Sequence, residues 1–143
     1  MTAKEYLQQI QLDDIRINQL KELIESQRAM TTPISGIDYS KDRVQTSTDG
    51  TPGMLKSVEN LYDAELRLNR MIAIFNDERE RIMSEIQSLD KPEYIELLYM
   101  RYVEYMSLEE ICVEMKYSYP HIKRIHGIAL QVFYNKFLKD NTK

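Results

Sequence analysis

Apolar side chains recur every three to four positions along most of this chain, and the period-2 alternation of a half-buried strand is absent. The pattern predicts an all-α fold. Residues 4–28 read as one amphipathic helix, with Leu7, Ile10, Ile17, Leu20 and Ile24 on a shared face that Asp14 interrupts. Leu12, Ile15 and Leu23 broaden that stripe. Residues 54–89 form the longest periodic segment. Val58, Leu61, Glu65, Leu68, Ile72, Phe75, Arg79, Ile82, Ile86 and Leu89 follow alternating steps of three and four, which is a heptad seam. Its two charged members, Glu65 and Arg79, lie symmetrically about Ile72. In an antiparallel pair of two copies, each Glu65 would face an Arg79 of the other. A parallel pair would set like charges together at high cost. Self-association through this seam is therefore expected to be antiparallel. A helical hairpin with residues 4–28 of the same chain would cover the same face, and the two arrangements are compatible.

Two breaks punctuate the helices. Residues 31–53 hold Pro33, Gly36, Gly50, Pro52 and Gly53 among many Ser, Thr and Asp, and read as a connecting loop. No Gly-Lys-Ser/Thr follows, so it is not a phosphate-cradling loop. Asp90-Lys91-Pro92 ends one helix and begins another, which places a boundary between a region at 1–90 and a module at 91–143.

The last third carries three short helical patterns. Pro92 to Tyr102 turns Ile95, Leu98 and Tyr102 inward. Ser107 with Glu110 is a capping box that opens a second helix, with Leu108, Ile111, Cys112 and Met115 on one face. Ser118 can cap a third, in whose first turn Pro120 costs little. Ile122, Ile125, Ala129, Phe133 and Phe137 share its inner face; His121, Lys123, Arg124 and His126 lie opposite. Lys116-Tyr117 leaves room for only a tight turn, so the second and third helices make a helix-turn-helix pattern.

Charge alters the picture only when the chain is divided. The whole carries a net charge of −4, which argues against a simple DNA binder. Residues 91–143 hold eight basic and seven acidic groups, whereas the remainder holds 11 and 16. Tyr119 to Lys139 contain no acid and four basic residues, a local positive face on an acidic protein. One copy alone is thus expected to bind DNA weakly. The single cysteine, Cys112, excludes an intramolecular disulfide and a cysteine-cluster zinc site and reads as a small buried apolar residue. No signal peptide or membrane-length apolar run stands out, so the cytoplasm of a bacterial host is the expected location. His121 and His126, five apart, do not share a helical face as metal ligands would, and no nucleophile–base pair can be assembled around them. Neither enzymatic activity nor a metal or other cofactor is expected.

The residues Leu97-Leu-Tyr-Met-Arg-Tyr102, then Ser107-Leu-Glu-Glu-Ile111, then Ser118 and Lys123-Arg-Ile-His-Gly-Ile-Ala-Leu130 resemble region 4 of bacterial sigma factors. With Ile125-His126-Gly127 paired with Ala129-Leu130 after a long helical N-terminal half, and with Tyr39, Val44 and Ser47 in the connecting segment, the chain is similar to small phage and prophage regulators of Gram-positive bacteria related to ArpU/RinA-type late-gene activators. The sigma-like resemblance covers about the last third. It implies a helix-turn-helix that meets double-stranded DNA in the major groove. The base-reading positions it implies fall on Tyr119, Pro120, Lys123 and Arg124, with His121 beside them. Arg124 suits a bidentate contact to guanine. Lys116 and Ser118, at the turn, suit phosphate. Lys136 and Lys139 lie too far along to read bases and are expected in solvent. The turn departs from the sigma pattern, which commonly has Gly where Lys116 stands. Tyr119 and Pro120 replace charged residues frequent there, so the DNA sequence read is left open.

The expectation is a long helical hairpin or coiled-coil appendage followed by a three-helix helix-turn-helix module. The function expected is sequence-specific regulation of phage or prophage transcription, as a homo-oligomer or with RNA polymerase. The rival is a protein-interaction module, binding RNA polymerase or serving as a DNA-packaging adaptor, without sequence readout. The acidic balance favours the rival; the acid-free last helix opposes it.

Overall fold

The protein is described here by a computed structural model covering residues 1–31 and 50–142. It is all-α: α1 (Ala3–Thr31), α2 (Gly50–Gln87), α3 (Pro92–Tyr102), α4 (Leu108–Met115) and α5 (Tyr119–Phe133), with no strand among the described residues. A π-helical turn, Tyr134–Leu138, and a 3-10 turn, Lys139–Thr142, follow α5. The inner face of α5 was expected to run on regularly to Phe137. The widened turn begins at Tyr134, and Phe137 is only half-buried, with its ring 4.9 Å from that of Phe133.

Helix occupies both margins of the expected 31–53 loop. α1 continues through Thr31, and α2 already begins at Gly50. Pro52 then lies in the first turn of α2, where the N–H it lacks would have had no helical acceptor. Tyr39, Val44 and Ser47 lie outside the described residues.

The chain divides into two compact units, one of residues 1–15 and 73–143, the other of residues 16–72. The punctuation at Asp90-Lys91-Pro92 therefore separates two helices of one unit.

The first unit owes its cohesion to a continuous apolar core. Leu97, Leu98, Ile111, Ile122, Ala129 and Phe133 are fully buried, joined by Leu7, Ile10, Phe75, Ile82, Ile86 and Leu89. Each large side chain so buried contributes roughly 1.5–3 kcal/mol of hydrophobic stabilisation. The start of α1 belongs to this core, because the Tyr6 ring lies 5.9 Å from that of Phe133 and its hydroxyl donates to Glu85 at 3.0 Å. Asp14, which breaks the α1 stripe, accepts from the Tyr105 hydroxyl, and the charge of Arg79 bears on the same ring. Burial, with Asp14 adding to it, pushes the Tyr105 phenol up to about 12. The Arg79 Nε is buried and finds no hydrogen-bond partner among the described residues.

In the second unit, Ile17 and Ile24 are buried, Leu20, Leu61, Leu68 and Ile72 are partly covered, and Leu23 is exposed. Glu65 takes its partner from its own chain. Arg28 Nε of α1 donates to Glu65 Oε1 at 2.9 Å, and Nη2 contacts the same oxygen. Arg28 also reaches Glu25 at 3.2 Å. Val58, expected in the seam, is half-exposed. A seven-residue repeat drifts about 20° per heptad on a straight α-helix, so the two heptads from Ile72 back to Val58 rotate it out of line by roughly 40°.

Candidate nucleic-acid interface

α4, the turn and α5 set out the candidate residues. The Ser107 hydroxyl accepts from the Glu110 N–H at 3.2 Å, and the Glu110 carboxylate accepts from the Ser107 N–H at 3.0 Å. This reciprocal cap satisfies two donors that the first helical turn cannot. α4 ends at Lys116 in the left-handed conformation, with φ 59° and ψ 40°. The Tyr117 N–H then bonds back to the Cys112 carbonyl at 3.1 Å, which closes the turn. Glycine enters such a conformation freely, whereas a lysine pays roughly 1–2 kcal/mol. The left-handed helix end that most often falls to glycine is made here by Lys116.

α5 begins differently. Ser118 has the extended backbone of a cap residue, but its side chain makes no capping hydrogen bond. Pro120 occupies the first turn and has no N–H to offer. Ile122 and Ile125 are buried, which turns Tyr119, Pro120, Lys123 and Arg124 outward, all of them exposed. His121 is half-buried, edge-on to the Tyr117 ring at 4.8 Å, and its Nδ1 lies 3.1 Å from Arg124 Nη2. The Lys123 ammonium lies 5.6 Å from the centre of the Tyr119 ring. Two cations are thereby steadied against aromatic or imidazole neighbours, and no acid occurs on α5 to neutralise them.

His126 does not belong to this outer face. Its Nε2 is 2.8 Å from the Tyr102 hydroxyl of α3, and the two rings stack at 5.8 Å. Burial, with the charges of Arg101 and Lys4 nearby, pulls its pKa down to about 4, and burial pushes Tyr102 up to about 12. A neutral imidazole protonated on Nδ1 accepts the phenolic hydrogen at Nε2. The residue lies four positions after Ile122, at the rim of the inner face, and this bond draws it inward.

Three other expectations are adjusted. Leu97 is fully buried beside Leu98, while Ile95 is partly open. Cys112 is half-buried rather than sealed in the core. Lys136 is not simply in solvent, because its ammonium reaches the Ser88 carbonyl just past α2, one of the acceptors a helix end leaves unpaired. Among the described residues, no group of three or more His, Cys, Asp or Glu is placed to hold a metal ion, and no helix is long and apolar enough to cross a membrane.

Comparison with protein-family models, curated proteins and solved structures gives no match to this chain.

Proposed function

We propose that this chain is a sequence-specific DNA-binding regulator of phage or prophage transcription. On this reading, α4 and α5 are a helix-turn-helix that follows a helical hairpin made by α1 and α2, and α5 enters the major groove. One observation carries it. The first half of α5 presents Tyr119, Lys123 and Arg124 on an exposed, acid-free face, while Ile122 and Ile125 anchor the opposite face in the core. A helix that reads base edges needs both: side chains free to reach a groove and a backbone that does not move when they do. Arg124 supplies the guanine contact and Lys123 a second base or phosphate contact. Lys116, Ser118 and the unpaired amides of the first turn of α5 take phosphate, favoured by the helix N-terminus. The resemblance to sigma region 4 is the ground for the transcriptional setting, and RNA polymerase or a second copy would add the affinity that two cations cannot.

A second reading has an observation of its own. Pro92, Ile95, Tyr99 and Met100 of α3, with Glu96 and Glu104, line an open, mostly apolar groove of about 490 Å³. It suits a basic amphipathic segment of a protein partner, such as polymerase or a packaging assembly, with no DNA readout.

Selection of bound sequences from a random duplex pool, at low and at physiological salt, distinguishes the two. The DNA reading expects an enriched motif that Arg124→Ala relaxes at one position, at a cost of about 1–3 kcal/mol. Absence of enrichment at both salts would abandon it for the protein-binding reading.

A further inference from the structure

The α2 surface of the second unit carries an apolar stripe that the other described residues leave open. Val58, Tyr62 and Leu66 recur at steps of four and are 50%, 62% and 37% exposed. They stand beside the residues that α2 turns toward α1, such as Glu65, whose carboxylate is held by Arg28. The stripe is bordered on its other side by Glu59, Asp63, Arg67 and Arg70, all exposed. Helical geometry places these four on one flank, within about 80° of one another. Their order has a polarity: acids at the N-terminal end, bases at the C-terminal end.

That polarity selects an occupant. When two identical helices pair antiparallel, each flank meets the same flank of its partner with the direction reversed. A flank ordered acid, acid, base, base is then complementary to itself. A two-fold axis between residues 64 and 65 sets Glu59 opposite Arg70, and brings Asp63 to within one residue of Arg67 and Tyr62 to within one residue of Leu66, a stagger of about 1.5 Å. A parallel arrangement sets this flank against the opposite edge of the partner and leaves the four charges without that match. We propose that Val58, Tyr62 and Leu66 are the docking face for a second copy of this chain, bound antiparallel through α2. This face shares only Val58 with the heptad seam, whose remaining members are buried or partly covered, and it does not depend on what α5 binds. Three apolar side chains per copy cover much less than the roughly 800 Å² per partner of a standard interface. The dimer is therefore concentration-dependent rather than permanent.

Sedimentation equilibrium of the full chain from about 5 to 500 μM, a range suited to weak pairs, reads the pairing. Wild type is expected to shift from monomer toward dimer and to do so less at high salt. The double variants Glu59→Lys/Asp63→Lys and Arg67→Glu/Arg70→Glu should each stay monomeric, at least ten-fold weaker than wild type, with unchanged helicity by circular dichroism. Mixed together, they should restore dimer. In a Cys112→Ser background, Glu59→Cys mixed with Arg70→Cys should oxidise mainly to the mixed disulfide. A monomeric wild type at 500 μM, or charge variants that dimerise like wild type, overturns the proposal. Mainly homodimeric disulfides overturn the antiparallel orientation.

Discussion

The two units of this chain contain helix of the same kind and yet hold it together differently. Of the eighteen well-buried apolar side chains among the described residues, only Ile17 and Ile24 fall within residues 16–72. In the other unit, three short helices, two segments of long helix and the closing turns enclose Leu97, Leu98, Ile111, Ile122 and Phe133 from all sides. The described part of residues 16–72 consists of two helical segments, each covering one face of the other. An ion pair from Arg28 to Glu65 crosses them, and both residues remain partly in water. Exposed pairs of that kind contribute little, because solvent screens them. The difference teaches where each unit's order comes from. The first has enough enclosed surface to hold a rigid face outward, whereas the second exposes Leu23, Val58, Tyr62 and Leu66 and gains by being covered.

The sharpest test of that contrast is cavity formation on both sides of it. Phe133→Ala should cost about 3–5 kcal/mol in urea unfolding, because the ring is enclosed and cannot be replaced by collapse. Ile24→Ala should cost about 2 kcal/mol, the low end for such a truncation, since few other buried side chains surround it in the described part of its unit. Amide exchange should show residues 16–72 opening locally well before the first unit does. Equal costs and equal protection would break the comparison.

A second effect is specific to the first unit and depends on acid. His126 has a folded-state pKa of about 4, below the ordinary 6.5. The unfolded chain therefore binds more protons than the folded chain between these values. Stability should fall as pH drops from about 6.5 toward 4, and the loss should be complete near 4. His126→Gln should flatten that slope when urea midpoints are followed across the window. An unchanged slope would mean that the imidazole titrates as freely in the folded state as in the unfolded one.

The smallest effect compares two helix starts within the first unit. Ser107→Ala removes a reciprocal cap and should cost about 1 kcal/mol. Ser118→Ala removes a hydroxyl that caps nothing and should cost clearly less. Thermal melts of the two variants side by side give the ordering.

Much of this was legible in the sequence because local rules and tertiary packing agreed. The spacing of Leu7, Ile10, Ile17 and Ile24 marked the buried edge of α1, and Ser107 with Glu110 marked a helix start. Ile122, Ile125, Ala129 and Phe133 marked the inner face of α5. Legibility failed where a partner from another helix decided the outcome. His126 was counted among the outward residues because nothing near it in sequence announces the Tyr102 hydroxyl. Glu65 and Arg79 are matched by symmetry across two copies; within the chain, Arg28 holds Glu65 and the charge of Arg79 bears on Tyr105. Val58 was carried into the seam by a seven-residue count that a straight helix does not keep. Among the candidate DNA contacts, the sequence identified the exposed set on α5. The edge-on contact of His121 with Tyr117 and the placing of the Lys123 ammonium over Tyr119 required coordinates.

The left-handed Lys116 has a consequence for how many shapes this stretch can take. A chain unwilling to adopt that conformation has an obvious escape, which is to run α4 straight into α5 as one rod. Pro120 closes that route from four residues away. In a continuous helix its ring would strike the carbonyl of residue 116, and the loss of its N–H would add to the cost, about 3 kcal/mol in all. That exceeds the roughly 1–2 kcal/mol of a left-handed lysine. The bend between α4 and α5 is thus the cheaper of two strained options, chosen by a proline that takes no part in making it.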